Sequence, residues 1–136
     1  MPNNRIFEWF RFAGVDLATA EFLLDMRPQP LEQICYHCQQ SAEKYLKGYL
    51  IHNGVEQPPK THDLVMLCEL CLEFDGRFLD IGKMCSALSV YSVGPRYPDE
   101  LYIDEGLMEI ALQYAREIKN FAPLENARRE LESGAD

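Results

Sequence analysis

Two C-x-x-C spacings, Cys35-Tyr36-His37-Cys38 and Cys68-Glu69-Leu70-Cys71, are the most tempting chemistry in this chain. Four thiolates so spaced can hold a tetrahedral zinc ion. Their phase argues for another role: both pairs fall mid-helix on an apolar stripe, whereas zinc ribbons set such pairs in turns. The thiols therefore read as small core hydrophobes, and no metal is expected. The second candidate is a polar stripe one turn apart, Gln40, Lys44 and Lys47, beside His37. An amide and lysines in a row can hold phosphate oxygens, each Lys acting as a point charge. The same spacing also fits an ordinary solvated face with a Glu43–Lys47 pair at i,i+4. The third is Thr61-His62-Asp63-Leu64 with the loop Gly94-Pro95-Arg96-Tyr97-Pro98-Asp99. A His beside the first turn of a helix meets unpaired N–H groups that attract anions. Arg96 and Tyr97 lie between two prolines that stiffen their loop, so they can be held toward a partner at small entropic cost. Capping by Thr61, a hydrogen bond from His62 to a neighbouring helix and simple packing of the loop are the plain alternatives.

Helices must position these groups. The prolines pair up at Pro28 and Pro30, Pro58 and Pro59, Pro95 and Pro98, and such pairs punctuate helices. Between them apolar residues recur every three or four positions, which predicts helices at about 4–26, 31–53, 62–75, 77–92 and 104–122. In the first, Ile6, Phe10, Ala13, Leu17, Ala20 and Leu24 form a core stripe, while Phe12, Val15, Phe22 and Met26 give the opposite side an apolar surface suited to a second copy. In the second, Ile34, Cys38, Ala42, Tyr45, Leu46, Tyr49 and Leu50 face inward, and Gln33, His37, Gln40, Lys44 and Lys47 face outward. Thr61 is the expected cap of the third helix, whose core stripe is Leu64, Leu67, Cys68, Cys71 and Leu72. The fourth shows Phe78, Ile81, Cys85 and Leu88. Asp104 caps the fifth, which buries Leu107, Ala111, Tyr114, Ile118 and Phe121. The fold expected is all-α, an up-and-down antiparallel bundle of four to five helices over residues 1–122, followed by a charged tail at 123–136, read as frayed helix.

Composition narrows the functions. The chain has 136 residues, 13 Lys and Arg against 22 Asp and Glu, and a formal charge of -9. Such a charge repels a phosphate backbone unless the basic residues are focused on one face, so general coating of nucleic acid is disfavoured. Five cysteines cannot all pair within one chain, and the N-terminus lacks the pattern of a signal peptide. A cytoplasmic protein with reduced thiols is expected, and no stretch approaches the ~20 apolar residues of a membrane helix.

From Cys38 to Leu50 the sequence runs Cys-Gln-Gln-Ser-Ala-Glu-Lys-Tyr-Leu-Lys-Gly-Tyr-Leu; Thr61-His62-Asp63-Leu64 and Arg96-Tyr97-Pro98 follow, and Asp16-Leu17-Ala18-Thr19-Ala20 precedes. These pieces, in this order, resemble a prokaryotic HEPN domain, the nucleotide-binding domain of higher eukaryotes and prokaryotes, over roughly residues 5–122. The resemblance implies a helical bundle that commonly dimerises and a gene-neighbour partner, a minimal nucleotidyltransferase that forms toxin–antitoxin pairs with such domains. Its matching positions here are Gln40, Glu43, Lys44, Lys47, His62, Arg96 and Tyr97. Many members are metal-independent ribonucleases marked by Arg-x(4-6)-His, a general acid or base beside a fixed cation. Here the positions after Arg96 are Leu101, Tyr102 and Ile103, and none of His37, His52 and His62 has an Arg at the required distance upstream. The signature is absent.

These observations together give an expected interaction module that binds a nucleotide or phosphate-bearing ligand through Gln40, Lys44, Lys47, His62, Arg96 and Tyr97, without a cofactor. Its expected partners are a second copy and a nucleotidyltransferase. Two alternatives stay open: a ribonuclease toxin in which His62 and Arg96 meet in space with Tyr102 as donor, and a dimeric scaffold without ligand.

Overall fold

A computed structural model describes residues 4–92 and 102–133 of the chain. Every regular element among them is helical: α1 (Asn4–Phe22), α2 (Leu31–His52), α3 (Leu64–Leu72), α4 (Gly82–Ser89), α5 (Glu105–Lys119) and α6 (Ala122–Ser133), with 3-10 segments at Leu23–Asp25 and Gly76–Ile81. The all-α bundle is the fold expected. The expected helix at 77–92 is divided, because Asp75 caps a 3-10 segment by accepting from the Arg77 N–H before α4 starts. Residues read as a charged tail form α6, which buries Pro123, Leu124 and Ala127.

α2 is the central element, packing against α1, α3, α4, α5 and α6. It runs antiparallel to α1, since Phe10 meets Tyr45 and Ala13 meets Ser41. Their closest approach is at Gly48, where a Cβ would lie 2.7 Å and 2.9 Å from ring atoms of Phe10 and 3.2 Å from Trp9 Cβ. Beside it, the buried Ser41 hydroxyl donates to the Ala13 carbonyl at 2.8 Å, which satisfies a polar group inside the contact. α2 ends in a Schellman motif: Gly54 at φ 98° lets its own N–H reach the Ile51 carbonyl and the Val55 N–H reach that of Leu50, both at 3.0 Å.

Three local expectations are corrected. The cap of α3 is Asp63, whose carboxylate accepts from the Val65 and Met66 N–H groups at 2.9 Å and 3.3 Å, while Thr61 accepts from the Asp63 N–H in a small turn. On α5 the buried residues are Met108, Ala111, Leu112, Ala115 and Ile118, a face turned by about 75° from the one predicted. This helix has apolar residues on both sides of its stripe, and packing on α2 selects the Met108 side, leaving Leu107 and Ile110 exposed. Lys47, expected to face outward, is buried.

Candidate ligand-binding site

α1 and α2 hold two carboxylates, each between a lysine and a histidine. Asp16, one turn beyond Phe12 on α1, pairs with Lys44 Nζ and lies 2.9 Å from His37 Nδ1. Glu43, on α2, accepts from Lys47 Nζ at 3.0 Å and from Gln39 Nε2 at 3.1 Å, and lies 3.0 Å from His62 Nδ1. Gln40 Nε2 donates to Gln39 Oε1 at 2.8 Å and, at 3.4 Å, to Glu43. Gln39 Nε2 also donates to the His62 carbonyl at 3.1 Å, so the loop entering α3 is tied to α2 by both backbone and side chain.

Burial separates these groups into structural and available. Glu43 is 4% exposed and Lys47 6%. Taking both charges from water is tolerable because each neutralises the other and the amides satisfy the remaining carboxylate lone pairs. Trp9 covers Lys47, whose Nζ lies 5.8 Å from the ring centroid. The i,i+4 pair read from sequence therefore exists as a core element rather than a solvated one. Lys44 is the more accessible lysine: its side chain keeps 26% exposure, and only one of its three N–H donors is committed to Asp16. The His62 side chain, 65% exposed, has Nδ1 engaged and Nε2 without a partner among the described residues. Each carboxylate is thus paired with one ammonium group, Asp16 with Lys44 and Glu43 with Lys47.

Three of the predicted residues, Gln40, Lys47 and His62, thus meet around Glu43, while a fourth, Lys44, is joined to Asp16 on α1. Arg96 and Tyr97 lie outside the described residues. Reading the sequence missed Asp16 as the counter-ion of Lys44, although an acid interrupting the apolar repeat of α1 is a signal for a buried partner. It also missed the surface next to Lys44. There Arg5, Glu8, Trp9, Phe12 and Lys44 line an open recess of about 380 Å³. Arg11 holds Glu8 through two bonds, at 3.2 Å and 2.9 Å, and Arg5 donates to the Glu56 carbonyl at 2.9 Å.

The cysteines belong to the core. All five are free and buried, and burial pushes the thiols of Cys35 and Cys38 up to about 12 and that of Cys71 higher still. Cys68 Sγ donates to the Phe78 carbonyl and Cys71 Sγ to that of Leu46, as packed core thiols do. Among the described residues no helix is long and apolar enough to cross a membrane.

The profile of the HEPN domain matches residues 6–131. Among solved structures, that of TT1696 from Thermus thermophilus is similar with a TM-score of 0.76 and 26% identity, covering 92% of this chain and 99% of that one. ST0689, an archaeal HEPN homologue, shares the fold with a TM-score of 0.65 and 22% identity over 93% of this chain and 97% of its own. No curated protein is significantly similar to the chain.

Proposed function

The chain belongs to the HEPN domain family, and from that membership we propose that it is a binding and interaction module for a nucleotide or phosphate-bearing ligand, acting as a homodimer and pairing with a minimal nucleotidyltransferase in a toxin–antitoxin-like couple. One observation carries the ligand: the partly exposed Lys44 ammonium, pinned by Asp16, beside the aromatic recess on α1. A cation already held in one geometry loses little entropy when an anion arrives. Gln40 and His62, which meet at Glu43 on α2, are proposed as further contacts, and Lys47 supports them by holding Glu43. Arg96 and Tyr97 remain proposed contacts. The partnership rests on the family resemblance, and the homodimer on the exposed apolar side of α1, where Phe12, Val15, Phe22 and Met26 stand in solvent.

Thermal melting with AMP, ATP, GTP and inorganic phosphate tests the ligand. At a ligand concentration of 100 times Kd, binding to the native state adds about 2.7 kcal/mol, an increase of several degrees in Tm for a domain of this size. Lys44→Gln is expected to lose most of that increase. A Tm indifferent to every ligand would eliminate the nucleotide or phosphate ligand.

A second reading has one observation in its favour. His62 with Nδ1 on the buried Glu43 and Nε2 turned to solvent is arranged as an oriented general base or acid. If the chain is a ribonuclease, metal-stripped protein cleaves RNA and His62→Ala abolishes the cleavage; equal cleavage by both proteins eliminates this reading.

A further inference from the structure

We propose that the groove between α4 and α5 docks a basic amphipathic helix of a partner protein, on a surface separate from the ligand site and independent of that reading. The two helices pack side by side. On α5, Glu109, Gln113 and Glu117, followed by the capping residue Asn120, recur every three or four positions and form one stripe roughly 16 Å long. Facing it are Asp80 and Ile81 of the 3-10 segment and Met84 of α4. Phe121, edge-on to the buried Phe78 at 5.1 Å between centroids, adds an aromatic surface that cannot turn away. The groove holds about 760 Å³, far more than one side chain fills.

Two features choose the occupant. The first is apolar surface: Ile81, Met84 and Phe121 line the groove, and Leu79 and Ile110, next in sequence to Asp80 and Glu109, stand 74% and 45% exposed. Met84 adds an adaptable thioether, suited to packing against a partner's side chains. The second is charge. Asp80, Glu109 and Glu117 are exposed carboxylates with no ion pair among the described residues, whereas Arg116, the cation beside them, is already held by Glu21 at 2.8 Å. Apolar surface between unpaired carboxylates complements a helix that sets Leu-like residues at i, i+3 and i+4 and flanks them with Lys or Arg. A second copy of this chain, at -9, would bring like charge to the groove, and a phosphate backbone would be repelled by the same carboxylates. A small cation alone would leave the apolar side chains wet.

The probe is a fluorescent Leu–Lys peptide of about 15 residues with Leu at helical spacing, roughly 22 Å long when helical and so able to cover the stripe. A Leu–Glu peptide of the same pattern is the control. Anisotropy gives the affinity for the full chain, and chemical shifts of the labelled protein locate the contact. The expected result is saturable binding of the Lys peptide alone, shifts centred on Met84, Ile110, Gln113 and Glu117, and a loss of roughly tenfold or more in Glu109→Lys with Glu117→Lys. Both side chains are exposed, so that variant should keep its fold, which an unchanged melting curve verifies. The matched reversal at the end of α3, Glu69→Lys with Glu73→Lys, alters net charge equally and should change the affinity less than about threefold. Met84→Ser should also weaken binding, which attraction by net charge alone would not produce. Equal losses in the two reversed pairs, shifts centred on α1, or no saturable binding would each overturn the proposal. A native dimer that Glu109→Lys with Glu117→Lys dissociates would put a second copy in the groove and overturn it as well.

Discussion

Glu43 carries more of this fold than its place in a polar stripe suggests. It faces Lys47, Gln39, Gln40 and His62, and among the described residues it is the carboxylate that pairs with the buried Lys47 ammonium. Glu43→Ala would leave that charge buried without a counter-ion, which costs about 3–5 kcal/mol. Against a total stability of roughly 5–15 kcal/mol, urea unfolding should show a large fall in midpoint. Replacing the pair together, Glu43→Leu with Lys47→Met, should recover most of the loss, because apolar groups of similar volume restore packing without a lone charge. An additive double variant would contradict the pairing. Lys44→Met would leave the buried Asp16 carboxylate with His37 as its remaining partner, so it should cost more than an exposed ion pair, over about 1 kcal/mol. The four-residue spacing of Glu43 and Lys47 is legible in the sequence; their burial is not, because the covering ring, Trp9, comes from another helix.

At the scale of elements, the α1–α2 crossing sets the site, since it brings Asp16 to Lys44 and Trp9 over Lys47. Gly48 permits the approach. Gly48→Ala would gain about 1 kcal/mol of helix propensity, but a methyl group 2.7 Å from the Phe10 ring forces an overpacking cost of typically 1–3 kcal/mol. The net expectation is a lower Tm and a shifted Trp9 emission; a higher Tm would show that the crossing is looser than described. The inward stripes of α1, α2, α3 and α4 are largely readable, since Ile34, Cys38, Leu67 and Cys85 repeat at helical spacing and are buried. α5 is misread because Leu107 and Ile110 compete with Met108 and Leu112 for the inner face, and only contact with α2 decides. Thr61 and Asp63 both suit a cap by type, and the turn that Thr61 makes gives the position to Asp63.

For the whole molecule, the exposed side of α1 is the clearest unsatisfied surface. Phe22, the last residue of α1, is 82% exposed, and Val15 within α1 and Met26 just beyond it are about half exposed. If a second copy covers them, sedimentation at tens of micromolar should give a dimer, and Phe22→Asp with Val15→Asp a monomer; a monomeric native protein would contradict this. Charge tells less at this scale: the total of -9 obscures the meeting of Arg5 and Lys44 at one recess, which only the fold brings about. Of the site, the α2 stripe and His62 could be found by spacing, whereas the Asp16 anchor and the aromatic walls depend on a helix crossing that no local pattern encodes. The most direct measurement is an amide and indole chemical-shift map of the labelled protein during titration with AMP. Saturable shifts confined to the Trp9 indole N–H, Phe12, Lys44 and the His62 loop are expected. Shifts centred elsewhere, or none at saturating AMP, would contradict a nucleotide site at this crossing.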